Sequence, residues 1–176
     1  MIGFEKDSVG DLFEQGVIDI TLGVFPKPPR QTQWEPIFEE RFVGIGRQGH
    51  PGIRDGKMSL EAFMAFSHAL TTLGRDTIGE IDKALNKQNL ERRIALTTPY
   101  MLVLPFAIAS SDLVAGLPYR IALRFTMICN LTIFELPIPT KPWMISMLWS
   151  ALSDQDEANC WLRNSIKTIF QKMEPR

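Results

Sequence analysis

Cysteine and histidine are scarce in this chain of 176 residues, which has two of each. Cys129 and Cys160 lack the close spacing of a metal-binding pair, so we expect free thiols in a reducing compartment. His50 lies in a Gly-His-Pro turn and His68 begins a predicted strand, and neither belongs to a recognisable catalytic pattern. A phosphate-binding loop and a metal motif are also missing. The sequence therefore gives no sign of a catalytic residue, a metal ion or another cofactor.

The chain also lacks an excess of charge and a long apolar run. Its 19 Lys and Arg residues nearly balance its 20 Asp and Glu residues, for a net charge of −1. A DNA-binding surface needs a basic face, so this balance gives no electrostatic case for nucleic-acid binding. The longest apolar run, residues 100–109, contains Pro105 and is far shorter than a membrane span. Because the first residues do not resemble a signal peptide, we expect a cytoplasmic protein with no membrane partner.

The most informative segment, residues 18–25, has the pattern of a buried strand that stops at a proline loop. Every second residue in it is apolar: Ile18, Ile20, Leu22 and Val24. Proline cannot continue a central strand, so the chain must leave the sheet near Phe25 and Pro26. Ligands of open α/β sheets bind beyond the carboxyl ends of strands, which makes these two residues a candidate edge of a binding site. The alternative is that Phe25 fills a core.

A helix capped by Asp7 or Ser8 and ended by Gly16 precedes this segment, after a possible strand at residues 2–5. Farther on, predicted strands and helices alternate. The strands cover residues 68–73, 91–96, 113–117 and 131–136. The helices begin at Ser59, at Thr77 with the capping-box partner Glu80, at Thr98 with Pro99 in the first helical position, and at Pro118. A last helix, capped by Ser153 or Asp154, has the apolar face Ala158, Leu162, Ile166, Ile169 and Met173.

Two strand-like segments flank the alternating part and can carry the chain out and back. The predicted fold is therefore α/β with two lobes. Lobe I comprises residues 1–44 and 145–176, and lobe II comprises residues 45–144. The helices that begin near Thr77 and Thr98 follow strands of the same lobe, so their amino ends are expected at one sheet edge. Free N–H groups there favour an anion, which Arg75 can also bind, although routine capping with an exposed Arg75 remains the alternative.

Six segments occur in a characteristic order along nearly the whole chain. They are Gly16-Val17-Ile18-Asp19-Ile20-Thr21-Leu22-Gly23, Phe38-Glu39-Glu40-Arg41-Phe42-Val43, Gly49-His50-Pro51, Ser59-Leu60-Glu61-Ala62-Phe63, Ser111-Asp112-Leu113-Val114-Ala115-Gly116-Leu117-Pro118 and Met147-Leu148-Trp149. Together they resemble the effector-binding domain of LysR-type transcriptional regulators. The resemblance implies a two-lobed type 2 periplasmic-binding-protein-like fold with two crossover strands, and a small-molecule inducer in the interlobe cleft.

The resemblance also implies which residues contact the effector. By position they are Phe25, Arg75, Asp76, Thr77, Ile78, Thr98, Pro99 and Tyr100, with a lesser contact near Met144; Pro26 is added from the strand end described above. The loop after Phe25 and the Pro99-Tyr100 turn look most like the branch that senses aromatic or related organic acids. Some sensors of aromatic acids have histidine where Ile78 and Tyr100 stand here.

The winged helix-turn-helix of the family, and the first strand and helix of its lobe I, have no counterpart in this sequence. Either the sequence is a piece of a longer protein or an upstream segment was lost. We predict a sensor module, not an enzyme, that binds a small anionic effector and forms a homodimer or higher homo-oligomer. It would reach DNA only through the missing amino-terminal domain. A free-standing solute-binding protein of the same fold and a small α/β enzyme are the alternatives.

Overall fold

The computed structural model describes residues 8–72 and 79–172. In chain order, the helices and strands are α1 (Val9–Glu14), β1 (Ile20–Gly23), β2 (Thr32–Glu40), β3 (Phe42–Arg47), α2 (Leu60–Ala65), β4 (His68–Thr71), α3 (Glu80–Asn86), β5 (Ile94–Thr98), a 3-10 helix (Met101–Val103), α4 (Leu104–Ala109), β6 (Val114–Pro118), α5 (Tyr119–Cys129), β7 (Leu131–Phe134), β8 (Trp143–Ser150), a 3-10 helix (Ala151–Ser153) and α6 (Glu157–Lys172). Within the described ranges, no helix is long and apolar enough to cross a membrane.

The chain divides into two compact units, as the two-lobed α/β prediction requires. Unit 1 comprises Met1–Glu39 and Trp143–Arg176, and unit 2 comprises Glu40–Pro142. The sequence instead suggested boundaries after residues 44 and 144. The first boundary falls earlier because β3 belongs wholly to unit 2, where it pairs with β6 on one side and β7 on the other.

Unit 1 is built on a three-stranded sheet with the order β1-β8-β2. β1 runs antiparallel to β8, with Gly23 opposite Ser146. It is shorter than the predicted strand at residues 18–25, and its paired part ends two residues before Phe25. The core is small: Val9 and Phe13 of α1 pack against Leu148 of β8. Residues 2–5, predicted as a further strand, lie outside the described residues.

The last helix, α6, buries a different face from the predicted one. Its buried residues are Asn159 and Arg163, whereas Leu162 and Ile169 of the predicted apolar face are exposed. Two hydrogen bonds explain the burial of Arg163: its Nη1 donates to Asp154 Oδ1 at 3.1 Å and its Nη2 donates to the Asp154 carbonyl at 2.7 Å. Its guanidinium also stacks 4.2 Å from the ring centroid of Trp149, whose Nε1 donates to Asp154. The buried side of the helix at Arg163 is therefore held by polar and stacking contacts.

The predicted caps of α6, Ser153 and Asp154, are also wrong. The Asp156 carboxylate accepts the N–H of Asn159 at 2.7 Å, which is the contact of an N-cap side chain three residues ahead. Asp154 instead accepts the Trp149 and Arg163 donors, and the Trp149 hydrogen bond is the main reason that its pKa lies below the ordinary value.

Unit 2 contains a five-stranded sheet with the order β5-β4-β6-β3-β7. β4 runs parallel to β5 and β6, and β3 runs antiparallel to β6 and β7. Apolar residues cover both faces of the sheet, because successive strand residues point to opposite sides. Val114 joins the cluster that contains Phe63 and Leu85, while its neighbour Ala115 joins the cluster that contains Leu104. Unit 2 therefore has a core on each face of a mixed sheet.

Two glycines allow this sheet to be packed closely. A Cβ atom at Gly44 would overlap the ring of Phe134, and a Cβ atom at Gly116 would overlap the end of Ile81. These two glycines are paired across β3 and β6. The group that lies against Gly44 is therefore an aromatic ring.

Glu40, at the point where the chain enters unit 2, explains the start of α5. Its buried carboxylate accepts the N–H groups of Tyr119 at 3.1 Å and Arg120 at 3.4 Å. These N–H groups have no partner inside the helix, so an acid from a distant part of the chain caps it.

Candidate functional site

The carboxyl ends of β4 and β5 bring three threonines together: Thr71, Thr72 and Thr98. The two strands are parallel and adjacent, with Thr71 opposite Thr98. Thr72, just after β4, donates its N–H to the carbonyl of Thr98 at 3.1 Å. The hydroxyl oxygen of Thr71 is buried and has no hydrogen-bond partner among the described residues. Since ligands of α/β sheets bind at this end of the strands, we call Thr71, Thr72, Thr98, Pro99 and Tyr100 the threonine edge.

Thr98 does not cap a helix, and Pro99 does not occupy the first helical position, contrary to the sequence-based expectation. Thr98 is the last residue of β5, and its hydroxyl accepts the N–H of Tyr100 at 3.1 Å. This is a local turn of the kind that threonine favours. Tyr100 is itself extended, so the helical turn begins only at Met101. The proline at the start of α4 is Pro105 rather than Pro99.

The threonine edge combines polar atoms with exposed apolar side chains. Tyr100 is 70% exposed, and Leu102 and Val103 of the following 3-10 helix are 58% and 48% exposed. One short segment therefore carries both the Thr98 hydroxyl and the exposed Tyr100 ring. Of these residues, sequence reasoning identified Thr98, Pro99 and Tyr100 but missed Thr71 and Thr72. The signal that could have found them is the parallel pairing of β4 with β5, which brings both strand ends together.

The second predicted helix start, near Thr77, is wrong in position. α3 begins at Glu80, and the residue in the N-cap position is Gly79, whose N–H donates to Asp82 Oδ2 at 2.7 Å. Its first turn carries the acidic side chains of Glu80 and Asp82. These charges already compensate the positive end of the helix dipole, so α3 adds little to the binding of an anion. The predicted effector contacts Arg75, Asp76, Thr77 and Ile78 lie outside the described residues.

Asp82 is held by a buried partner. Arg92 donates from Nε to Asp82 Oδ1 at 2.7 Å and from Nη2 to Oδ2 at 2.8 Å. The Arg92 side chain is 1% exposed and that of Asp82 is 13% exposed. Burial by itself raises the pKa of Asp82, but the hydrogen bonds from Arg92 and Gly79 and the charge of Arg92 outweigh it, leaving the pKa below its ordinary value.

Three predicted site residues belong to unit 1, and two of them lie at the same end of its sheet. The β1–β8 pairing ends at Gly23 and Ser146, and its register continued by two residues would place Phe25 opposite Met144. Phe25 is half-buried against the cluster of Val9, Phe13 and Leu148, as the core-filling alternative expected. Pro26 and Met144 are exposed. The contact of these residues with an effector stays a prediction.

Both histidines hydrogen-bond to backbone groups near their own positions in the fold. Gly52 donates its N–H to His50 Nδ1 at 3.1 Å, which leaves Nε2 as the ring nitrogen that can donate to the Asp112 carbonyl, 3.1 Å away. His68 is fully buried with Nε2 2.7 Å from the Phe63 carbonyl, and burial lowers its pKa to about 4. In the part of the chain that the structure describes, no group of three or more His, Cys, Asp or Glu side chains is placed to hold a metal ion.

Comparison with known proteins gives one consistent result. The family model of the LysR substrate binding domain matches residues 4–171. The transcriptional activator NagR of Ralstonia sp. is 28% identical over 159 residues, which is 90% of this chain and 52% of NagR. The regulator SyrM of Rhizobium meliloti is 27% identical over 88% of this chain and 48% of SyrM. The chain thus spans about half the length of the curated relatives it matches.

Solved structures agree on the fold. The regulatory domain of MexT, a transcriptional activator in Pseudomonas aeruginosa, has a TM-score of 0.74 at 24% identity, covering 92% of this chain and 76% of that chain. The effector binding domain of QuiR in complex with shikimate has a TM-score of 0.67 at 13% identity, covering 95% and 78%. These neighbours confirm the fold predicted from the ordered segments. With the family model matching most of its residues, this chain belongs to the LysR substrate-binding domain family.

Proposed function

We propose that this chain is the effector-sensing part of a LysR-type regulator and that a small organic effector binds at the threonine edge. The observation that supports this best is the juxtaposition of Thr71 and Thr98 on neighbouring parallel strands. The buried Thr71 hydroxyl lacks a partner within the described ranges, and a ligand oxygen would supply one. Tyr100, largely exposed two residues after Thr98, offers a ring for an apolar part of the ligand.

We further propose that the effector is an organic acid. The threonine edge, Thr71, Thr72, Thr98, Pro99 and Tyr100, has hydroxyl donors and no acidic side chain. Arg75, which the sequence predicts as an anion contact and which lies outside the described residues, would supply the opposite charge. The acidic first turn of α3 weighs against an anion on that side, so the proposal rests on the β5 side of the edge. Shikimate, bound by QuiR, is an acid on a domain of the same fold.

The regulatory part of the proposal follows from population shift. An effector can bias the protein only by binding one arrangement more tightly than another. We propose that this bias is passed, in a homo-oligomer, to a DNA-binding region outside this sequence, in the cytoplasm, and that the chain does not convert its effector. The relatives are transcriptional regulators, which favours sensing over catalysis. The sequence-based expectation that the effector lies between the lobes stays a prediction.

Mass spectrometry of small molecules released from natively purified protein tests the proposal. We expect one organic acid, recovered unchanged after incubation with the protein. Calorimetry with that acid should show that Thr98→Val weakens binding by about 1 kcal/mol, as for one lost hydrogen bond. Thr97→Val is the matched control, since Thr97 is the exposed neighbour on the same strand and should leave the affinity unchanged.

A product formed from the recovered molecule would contradict the sensing function. Unchanged affinity in Thr98→Val and Tyr100→Ala would show that the effector binds elsewhere. Phe25→Ala asks a separate question, whether unit 1 contributes: a weaker affinity for an effector with an apolar body would support that contribution, and an unchanged affinity would exclude it.

A further inference from the structure

Unit 2 contains a pocket whose lining includes no residue of the threonine edge. It lies between α3 and the start of β5 and has a volume of about 340 Å³. Its apolar wall is formed by Leu85, Leu90 and Ile94, and Asn86 stands exposed at its rim. Asp82 and Arg92 supply the polar part of its lining. A pocket of this size is large enough for a small organic group.

Arg92 has an unused hydrogen-bond donor. Its Nε and Nη2 are both bound to Asp82, whereas Nη1 is buried and has no partner among the described residues. Guanidinium nitrogens only donate, so the missing partner must be an acceptor, such as an oxygen. Buried polar groups are nearly always paired in folded proteins, which makes this nitrogen an exception that asks for an explanation. Nη1 has almost no solvent-exposed surface in this structure, so a ligand in the pocket reaches it only if side chains of the lining move.

The charges around the pocket select the type of acceptor. Asp82 already neutralises Arg92, and Glu91, also part of the lining and exposed, adds a negative charge. A carboxylate would therefore be repelled, whereas a neutral carbonyl would not. An amine would satisfy Glu91 but leave Nη1 without an acceptor.

We propose that this pocket binds a small neutral molecule that presents an amide-type carbonyl to Arg92 and a short apolar body to Leu85, Leu90 and Ile94. This site differs from the threonine edge in place and in ligand class. Asp82 also accepts the N–H of Gly79 at 2.7 Å, so a ligand that shifts the Arg92–Asp82 pair changes the surroundings of that amide too. The Gly79 amide is therefore a reporter of occupancy at some distance from the ligand.

Amide NMR spectra of the nitrogen-15-labelled chain, titrated with butyramide, test this proposal. We expect saturable shifts at Leu85, Leu90 and Ile94, together with the Arg92 side-chain Nε–H signal and the Gly79 amide. Butyrate and n-butylammonium have nearly the same apolar body with a negative or a positive head group. Each should bind more weakly than butyramide. The residues of the threonine edge should shift little in all three titrations.

Two variants connect the signal to the pocket. Leu90→Trp should weaken the binding of butyramide by about tenfold, because the larger side chain fills the volume that the ligand needs. Leu152→Trp, at a position 93% exposed in unit 1, is the matched control and should bind as the unaltered chain does. If circular dichroism shows that Leu90→Trp does not fold, Asn86→Trp at the rim takes its place. Arg92→Lys keeps the charge but replaces the three guanidinium nitrogens by one ammonium nitrogen, so it should also weaken binding.

Three results would overturn the proposal. The first is the absence of saturable shifts with butyramide at any soluble concentration. The second is equal binding by the folded blocking variant and the unaltered chain. The third is tighter binding of butylammonium or butyrate than of butyramide, which would mean that Glu91 or the charge of Arg92, and not the free Arg92 nitrogen, governs the pocket. None of these results bears on the effector proposed for the threonine edge.

Discussion

The two units of this chain are stabilised in different ways. Unit 2 has a five-stranded sheet with an apolar cluster on each face, and side chains such as Phe63 and Leu85 are fully buried. Among its described residues, unit 1 has a three-stranded sheet and a cluster of three buried apolar residues, Val9, Phe13 and Leu148. It relies in addition on polar contacts, in which Asp154 accepts hydrogen bonds from Trp149 and Arg163. We therefore expect the burial of apolar side chains to contribute most of the stability of unit 2, and hydrogen bonds to contribute a larger share in unit 1.

The sequence supplies separate optical reporters for this comparison. All four tryptophans belong to unit 1: Trp34, Trp143, Trp149 and Trp161. Both tyrosines, Tyr100 and Tyr119, belong to unit 2. Tryptophan fluorescence therefore follows the unfolding of unit 1, while far-ultraviolet circular dichroism follows both units.

The largest effect is expected from Phe63→Ala in unit 2. Phe63 is fully buried and packs against the rings of His68 and Phe134. Its removal should lower the free energy of unfolding by about 3–5 kcal/mol, as measured by urea unfolding with circular dichroism. The matched change Phe13→Ala in unit 1 should cost less, about 2 kcal/mol, because a small cluster collapses more readily around the cavity. Equal losses in the two variants would break the comparison.

The stability of unit 2 should also depend on pH, through His68. The pKa of His68 is lowered to about 4 from 6.5, so the unfolded chain binds its proton first as the pH falls. The stabilisation is complete above pH 6.5 and is lost between about pH 6.5 and 4, for a total of about 3 kcal/mol. Urea unfolding at several pH values measures this loss, and His68→Gln should remove most of it. A His68→Gln variant with an unchanged pH dependence would assign the effect to other groups.

The polar contribution to unit 1 is tested by Arg163→Met. This change keeps most of the apolar stem but leaves Trp149 and Asp154 without the guanidinium. It should cost about 1–3 kcal/mol, the typical cost of losing a hydrogen bond to a charged group. The loss should appear in the fluorescence transition. Arg163→Lys keeps the charge but not the stacked plane, so it should recover only part of the lost stability. If Arg163→Met left the free energy of unfolding unchanged, these contacts would contribute nothing to stability.

The smallest effect on stability is expected at the exposed side of α6. Trp161 is 70% exposed and Ile169 is 56% exposed, so Trp161→Ser should change the free energy of unfolding by less than about 0.5 kcal/mol. We expect it instead to weaken self-association, since exposed apolar surface favours contact between copies. Sedimentation over a range of concentrations measures this. Asn164→Ser, at an exposed polar position of the same helix, is the control, and equal association by both variants would place the interface elsewhere.

Sequence patterns predicted the elements better than their ends. The predicted left-handed residue Gly16 has a φ of +64°, and Ser59 caps α2 by accepting the N–H of Ala62 at 3.1 Å. Both depend on residues close in sequence. The predicted cap at Thr98 was wrong, although its cause is also local. A residue before proline favours an extended conformation, so Thr98 ends a strand, and its hydroxyl accepts the N–H of Tyr100.

Features that depend on distant partners could not be predicted. The apolar periodicity of α6 suggested which side is buried, but Asp154 and Trp149 bind Arg163 on the other side. The same limit applies to the candidate site. Thr98 was found through a predicted helix start and through the resemblance to a family, whereas Thr71 becomes visible only when β4 and β5 are paired in register. The register depends on packing across the whole sheet and leaves no trace in a short sequence window.

The central claim, that an effector binds at the threonine edge, is tested most directly by an amide NMR titration with the molecule recovered from natively purified protein. The largest shifts should occur at Thr71, Thr72, Thr98 and Tyr100, and they should shrink in Thr98→Val. Leu90 and its neighbours around Arg92 should stay nearly unchanged. Saturable shifts confined to other parts of the chain, with Thr98 and Tyr100 silent, would contradict the account.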